Sequence, residues 1–242
     1  MADEKKSQSG LTSVRRRELL KLTPVVLVGA FFVPRWQQKM LDQGLRFSDW
    51  VAGGTFGRHR QAQTFSDSEV APFEKFPYNY YDVKDPEVDL DAWKLTVEGL
   101  VNRPGAYTLA QITSLPKRVQ NTRHICVEGW DVIGNFGGTP VSAFLDLVGA
   151  DTTAKFLEVE CEDDYYESID MASVLHPQSL LCYEMYGKPL DRGHGAPLRL
   201  QMPTKLGYKQ AKYMNTLRVA NVQKTGKRGY WEDQGYDWFG GL

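Results

Sequence analysis

From residue 92 onward this chain is written in short units. Trp93, Leu95 and Val97 alternate with Lys94, Thr96 and Glu98, the two-residue period of a half-buried strand. Phe156 to Cys161, Ser179 to Tyr186, Leu198 to Met202 and Asn215 to Val222 read as further strands, and Ser168 to Asp170 as the end of another. The helical stretches between them are brief. Thr108 opens a capped helix through Ile112, and Met171 to Leu175 forms another. Thr139 as cap and Pro140 at the first helical position precede Val141, Phe144, Leu145 and Val148 at helical spacing, closed by Gly149. Short strands mixed with short helices, without regular alternation, predict a mixed α+β domain rather than a doubly wound sheet.

Composition narrows the class. A chain of 242 residues with 42% hydrophobic side chains can bury a sizeable core, and 24% charged residues is ordinary for a folded domain. Its 29 basic and 30 acidic residues leave a formal charge of −1, which argues against a basic nucleic-acid binder. A mean hydropathy of −0.43 and no apolar run of about 18 residues argue against a multi-span membrane protein.

Residues 1–33 form a separate object. Arg15-Arg16-Arg17 and Glu18-Leu19-Leu20-Lys21 lead into an apolar stretch from Leu22 to Val33, the order of an export signal. As a helix that stretch spans about 18 Å, short of a ~30 Å hydrocarbon core. Arg16-Arg17-Glu18-Leu19-Leu20-Lys21 resembles a bacterial twin-arginine signal, which implies export to the periplasm of a folded protein, commonly one loaded with a cofactor. Val28-Gly29-Ala30 offers a small-residue cleavage site, with a membrane tether as the outcome without cleavage. Residues 34–75, polar and weakly periodic, read as an extended N-terminal arm, and residues 76–242 as the domain.

Three segments carry chemistry. In Arg123-His124-Ile125-Cys126-Val127-Glu128-Gly129-Trp130 a thiol follows an arginine and a histidine closely, and nearby positive charge favours the thiolate that binds soft metals. In Arg192-Gly193-His194-Gly195-Ala196-Pro197-Leu198-Arg199 glycines let backbone approach a ligand, and Arg199 sits in a strand that otherwise reads as core. Lys205-Leu206-Gly207-Tyr208-Lys209-Gln210-Ala211-Lys212 places three lysines and a glycine just past a strand end, which suits an anionic group such as a phosphate. Cys126, Cys161 and Cys182 show neither Cys-x-x-Cys nor zinc spacing, and an odd count leaves at least one thiol free.

Taken together, Cys126-Val127-Glu128-Gly129-Trp130, His194-Gly195-Ala196-Pro197-Leu198-Arg199 and Gly207-Tyr208-Lys209 resemble the molybdopterin-binding domain of the sulfite-oxidase family, nearest its small periplasmic sulfoxide-reductase members. The resemblance covers roughly residues 75–242. It implies a molybdenum held by a pterin dithiolene and one protein cysteine, at the position of Cys126. It also implies cofactor contacts at Asn79, Tyr81 and Asp82 in the Tyr78-Asn79-Tyr80-Tyr81-Asp82 segment, at Arg199, and at Lys209, Gln210, Ala211 and Lys212 around the pterin phosphate. His194 and Cys161 fall where sulfoxide-reductase relatives carry asparagine and threonine, and that departure changes the electrostatics of the pocket. Arg123 is expected to hold substrate or shape the field near the metal. The implied reaction is two-electron oxygen-atom transfer: reduction of a sulfoxide or N-oxide, or oxidation of sulfite, on a small or protein-bound substrate.

No Cys-x-x-Cys-His haem motif or flavin motif is present, so electrons are expected to pass through a separate partner, a haem-containing membrane protein or a soluble cytochrome. The dimerisation domain of the larger family members is not expected here. The aromatic tail, Tyr230-Trp231 and Tyr236-Asp237-Trp238-Phe239, is expected to pack on the core. Two other classes compete: a cysteine hydrolase pairing Cys126 with His194, and a non-catalytic periplasmic binding module.

Overall fold

The computed structural model describes residues 60–81, 86–224 and 227–242, with Gln43 and Phe47 standing alone before them. The chain divides into Met1–Ser48 and Asp49–Leu242, and the strands, helices and cavity named below belong to the second unit. The twin-arginine segment, most of residues 34–59 and Asp82 lie outside the described residues. Among the described residues no helix is long and apolar enough to cross a membrane.

Two sheets, one mixed and one antiparallel, carry the fold, as the α+β expectation requires. The first has the order β2-β1-β10-β5-β6, built from β1 (Lys94–Gly99), β2 (Gly105–Thr108), β5 (Phe156–Cys161), β6 (Tyr166–Asp170) and β10 (Met214–Ala220). Only the β1–β10 pair is parallel in it. The second has the order β3-β4-β7-β8, with β9 also pairing to β7; its strands are β3 (Arg118–Ile125), β4 (Asp131–Pro140), β7 (Leu180–Met185), β8 (Lys188–Pro189) and β9 (Arg199–Gln201).

The core follows from the alternation. Leu95 and Val97, Leu157 and Val159, and Leu217 and Val219 turn one way from β1, β5 and β10 and meet Leu181 and Leu200 of the second sheet. Helix α1 (Leu109–Thr113) is fixed by a capping box between Thr108 and Gln111. Helix α2 (Val141–Val148) buries Val141, Phe144, Leu145 and Val148 in the same core, the stripe its spacing predicts. Its start differs from expectation. Thr139 is still in β4 and its hydroxyl donates to the Ile112 carbonyl, so Pro140 rather than Thr139 occupies the cap. Helix α3 (Met171–Val174) is capped by Asp170, which accepts from the Ser173 amide at 3.0 Å.

Strands β3 and β4 were not expected. They form a hairpin whose register runs from Arg118↔Gly138 to Ile125↔Asp131. Their sequences hide them: the inward face of β3 carries Gln120, Thr122 and His124 instead of apolar residues, and β4 contains Gly134, Gly137 and Gly138. Residues 60–81 cross this hairpin, Thr64 bridging to Thr122 of β3 and the Ala71 amide donating to the Ile133 carbonyl of β4 at 2.9 Å, with 3-10 turns at Asp67–Glu69 and Phe73–Lys75. Phe76 from this arm joins Phe136, Leu180, Cys182 and Met185 in a second, smaller core.

A buried ion cluster ties the loop after β9 to the first sheet and the tail. Lys209, in the 3-10 turn Gly207–Lys209, is fully buried. Its ammonium donates to Glu167 at 2.6 Å, to the Ser168 carbonyl at 3.1 Å and to Glu232. Burial pushes the Glu167 carboxyl well above its usual range, against the pull of Lys209. Next to it, Lys205 donates to the Phe239 carbonyl at 2.6 Å and to Asp170 at 3.2 Å. The aromatic tail is therefore packed: Phe239 is buried and the Trp238 indole donates to Ser168 at 2.8 Å.

Removing one partner of a buried ion cluster strands the remaining charge, at a cost of about 3–5 kcal/mol. Lys209→Met is expected to lower the unfolding free energy by about that much in urea titration, and adding Glu167→Gln to recover part of it. A single variant as stable as the parent contradicts the cluster's structural role.

Candidate active site

The β3–β4 hairpin places the thiol. Side chains alternate along a strand, so His124 and Cys126 share the inward face while Arg123 takes the outward one. Cys126 begins the turn into β4: its amide donates to the Trp130 carbonyl at 2.9 Å and its carbonyl accepts from Gly129 at 3.1 Å. Gly129 sits at φ +93°, in the left-handed region where a side chain is strained, which is why a glycine closes this turn.

Cys126 lines a cavity of about 960 Å3, counted to its open mouth. Four segments build the walls: the arm through Phe76, Asn79, Tyr80 and Tyr81; the hairpin through His124, Cys126, Glu128 and Trp130; the loop before β9 and its first residue through Gly193, His194 and Arg199; and the loop after it through Gly207, Gln210, Ala211 and Lys212. Asp163 and Tyr165 close one side, and Trp231 and Tyr236 of the tail stand at the rim.

The thiol's neighbours are polar. Asn79 Nδ2 donates toward Cys126 Sγ at 3.6 Å and to Glu128 Oε2 at 3.3 Å, and the Trp130 indole donates to the same Glu128 oxygen at 3.1 Å. Cys126 Sγ lies 3.7 Å from that oxygen. Burial, aided by the Glu128 charge, raises the thiol above its ordinary value. This corrects the expectation of a thiolate favoured by its neighbours: Arg123 faces away, and burial, with the Arg199 charge adding, pushes His124 down to about 3, so that its ring is neutral. A metal ligating this sulfur must displace its proton.

Cationic groups occupy the same cavity. Arg199 is fully buried; one Nη donates to the His194 carbonyl at 3.2 Å, and its Nε has no partner. Burial lowers its pKa from the ordinary arginine value. Lys212 Nζ donates to the Asn79 carbonyl at 2.7 Å and the Gly193 carbonyl at 3.0 Å, and lies 4.2 Å from the centre of the Tyr80 ring. Tyr81 donates to the Asp163 carbonyl. The soft sulfur, two cations and the unpartnered buried Arg199 Nε and His194 Nε2 fit a group with a metal at one end and an anion elsewhere.

Three expected residues lie elsewhere. Arg123 points out from β3, 3.3 Å from Asp131 and over the Phe65 ring, because its position has the opposite parity from Cys126. Lys209 is turned inward onto Glu167 and Glu232, so carboxylates already neutralise its charge. Cys161 ends β5 opposite Met214 and is buried in the main core; Asp163 and Tyr165, just beyond it, line the cavity in its place. His124, Glu128, Trp130, Tyr165, Trp231 and Tyr236 line the cavity without having been expected there. Strand parity would have found His124, two residues before Cys126.

The hydrolase pairing is absent. The partners of Cys126 Sγ are Asn79 and Glu128, His194 Nδ1 is engaged by Asp191 at 2.8 Å, and His194 Nε2 has no partner.

The family model for the oxidoreductase molybdopterin binding domain matches residues 82–231. This chain belongs to that family. It is a molybdopterin-dependent oxidoreductase. A putative protein-methionine-sulfoxide reductase subunit, YedZ1, of Azospira oryzae is 47% identical over 81% of this chain and 74% of its own length. The protein-methionine-sulfoxide reductase catalytic subunit MsrP of Pseudomonas syringae is 27% identical over 79% of this chain and 67% of its own. The MsrP of Ralstonia nicotianae is 29% identical over 86% and 70%. Among solved structures, the sulfane dehydrogenase SoxCD of Paracoccus pantotrophus superposes with a TM-score of 0.56 at 19% identity, which is a likeness of fold. The match covers 69% of this chain and 46% of that one.

Lys212 fastens the arm to the cavity wall through two backbone carbonyls. Lys212→Met is expected to speed amide hydrogen exchange in residues 77–81 while leaving β5 and β10 unchanged. Equal exchange in parent and variant contradicts the latch.

Proposed function

We propose that this chain is an exported molybdenum-cofactor enzyme that reduces sulfoxides, protein-bound methionine sulfoxide above all, with electrons from a separate haem-containing partner. One observation carries the reading: Cys126 Sγ sits in the cavity that also holds Arg199 and Lys212, so a single group can meet the sulfur and both cations. Among the described residues no cluster of three His, Cys, Asp or Glu side chains could hold a metal ion. A metal at Cys126 therefore draws its other donors from the cofactor.

When bound, the cofactor supplies a two-electron couple and the site that takes up the sulfoxide oxygen. The balance is one sulfoxide, two electrons and two protons giving one thioether and one water. The chain's residues bind and orient. Cys126 offers its sulfur at the end of a rigid hairpin. Arg199 and Lys212 are suited to the cofactor's anionic end, with the arginine's planar fork placed deeper and the lysine at the arm. Glu128 accepts from both Trp130 and Asn79 and so holds those side chains beside the sulfur. Val127, Tyr80 and Tyr236 stand exposed around the mouth, an apolar and aromatic margin suited to a methionine side chain on a larger chain.

The names of the relatives support the substrate class, and the word "subunit" in them supports a partner. The Arg16-Arg17 segment and the apolar stretch after it support export by the twin-arginine route to the periplasm, with residues 1–33 as the signal.

The test uses the full chain made in a host that synthesises the cofactor. About one molybdenum per chain is expected in the parent, and Cys126→Ala is expected to lose turnover, with circular dichroism unchanged between them. Parent protein with molybdenum should reduce peptide methionine sulfoxide with an artificial electron donor. Full turnover in Cys126→Ala contradicts the ligand assignment, and a loaded parent inert toward every sulfoxide contradicts the substrate class.

A further inference from the structure

His194 is the only histidine of the 191–199 loop, and its surroundings hold it from every side. Its side chain is 3% exposed. Rings from the arm surround the imidazole: Tyr78 at 4.5 Å, Phe73 at 5.1 Å and Phe76 at 5.2 Å between centroids. Asp191 Oδ1 receives both the His194 backbone amide and Nδ1, each at 2.8 Å. The other carboxylate oxygen, Oδ2, receives the Tyr78 hydroxyl at 2.8 Å. Gly193 makes room for this. A Cβ there would lie 2.2 Å from the Tyr78 ring, so a side chain at this position displaces the tyrosine that orients Asp191. The opposite ring nitrogen, Nε2, is buried, has no partner, and belongs to a residue lining the cavity.

We infer that Asp191 is a positioning residue: it holds His194 through Nδ1 and thereby fixes Nε2 as the imidazole atom presented to the cofactor cavity. An ionised carboxylate has no proton to give, so the proton of the shared bond sits on Nδ1. A neutral ring then carries its lone pair on Nε2. Burial opposes ionisation of Asp191, but the hydrogen bonds from Tyr78 and the His194 amide outweigh it and hold the carboxyl below its usual value. Burial lowers His194 against the pull of Asp191, with Arg199 and Lys212 acting in the same direction as burial. The ring is therefore neutral at pH 7. The arrangement is that of a histidine whose outer partner sets its tautomer and orientation for a bound group. The inference rests on the cofactor occupying this cavity, but its first test does not.

That test is nitrogen-15 NMR of the full chain labelled at histidine and produced without the cofactor. In the parent, His194 is expected as the Nδ1–H tautomer with an unprotonated Nε2. In the nearly isosteric Asp191→Asn it should shift toward the Nε2–H form. The second measurement follows molybdopterin release from loaded chains after dilution, by pterin fluorescence. Asp191→Asn should release it about tenfold or more faster than the parent, and Asp191→Glu should restore part of the retention. The melting temperature of the cofactor-free chains should differ little. A parent His194 with its proton on Nε2, an unchanged tautomer in Asp191→Asn, or equal release rates overturns the inference. A parent that carries no molybdopterin overturns the cofactor reading instead, and the NMR result still decides the role of Asp191.

Discussion

The site depends on the side-chain parity of β3, a strand that turns polar residues inward and leads directly into the thiol. Gln120, Thr122 and His124 point to the interior with Cys126 following them, while Val119 and Arg123 face out. Burying polar groups without partners costs free energy, and Thr122 Oγ1 and His124 Nδ1 bear that cost here. His124 and Cys126, at the end of this face, line the cavity. Gln120 finds the Gln178 carbonyl at 2.9 Å, and the Asn79–Glu128–Trp130 set occupies the mouth beside the sulfur. The end of one strand's inward face thus supplies the cavity with its sulfur.

The rest of the molecule holds the opposite walls at the right distance. The loop from Lys205 to Lys212 could not line a cavity if it were free to move. Two buried lysines pin it: Lys209 to Glu167 and Glu232, and Lys205 to Asp170 and the Phe239 carbonyl. The tail adds backbone bonds, Leu206 to Gly240 at 2.9 Å and Leu242 to Thr204 at 3.0 Å. Charges that look in sequence like ligands for a phosphate are here divided. Lys205 and Lys209 support the loop from behind, and Lys212 faces the cavity.

The legible parts of the fold were those where packing dictates sequence. β1, β5, β9 and β10 bury one face on the main core, so their alternation is plain, and β7, buried on both faces between the two cores, reads as a continuous apolar run. β3 and β4 were illegible for the opposite reason: one buries polar side chains and the other is broken by glycines. At the site, the segments around Cys126, His194-to-Arg199 and Gln210-to-Lys212 meet where the sequence grouped them. Arg123 and Lys209 were misplaced because a residue's neighbours along the chain do not reveal which way its side chain points. Arg123 needed the parity of an unrecognised strand, and Lys209 needed the partners Glu167 and Glu232, distant in sequence.

The chemistry proposed for this cavity depends on the sulfur of Cys126 binding molybdenum. The most direct measurement is X-ray absorption at the molybdenum edge, on the loaded parent and on loaded Cys126→Ser. The parent is expected to show one more sulfur scatterer at bonding distance than the serine variant. Identical sulfur shells in the two would contradict the assignment, and with it the reading of the hairpin as the wall that delivers a ligand.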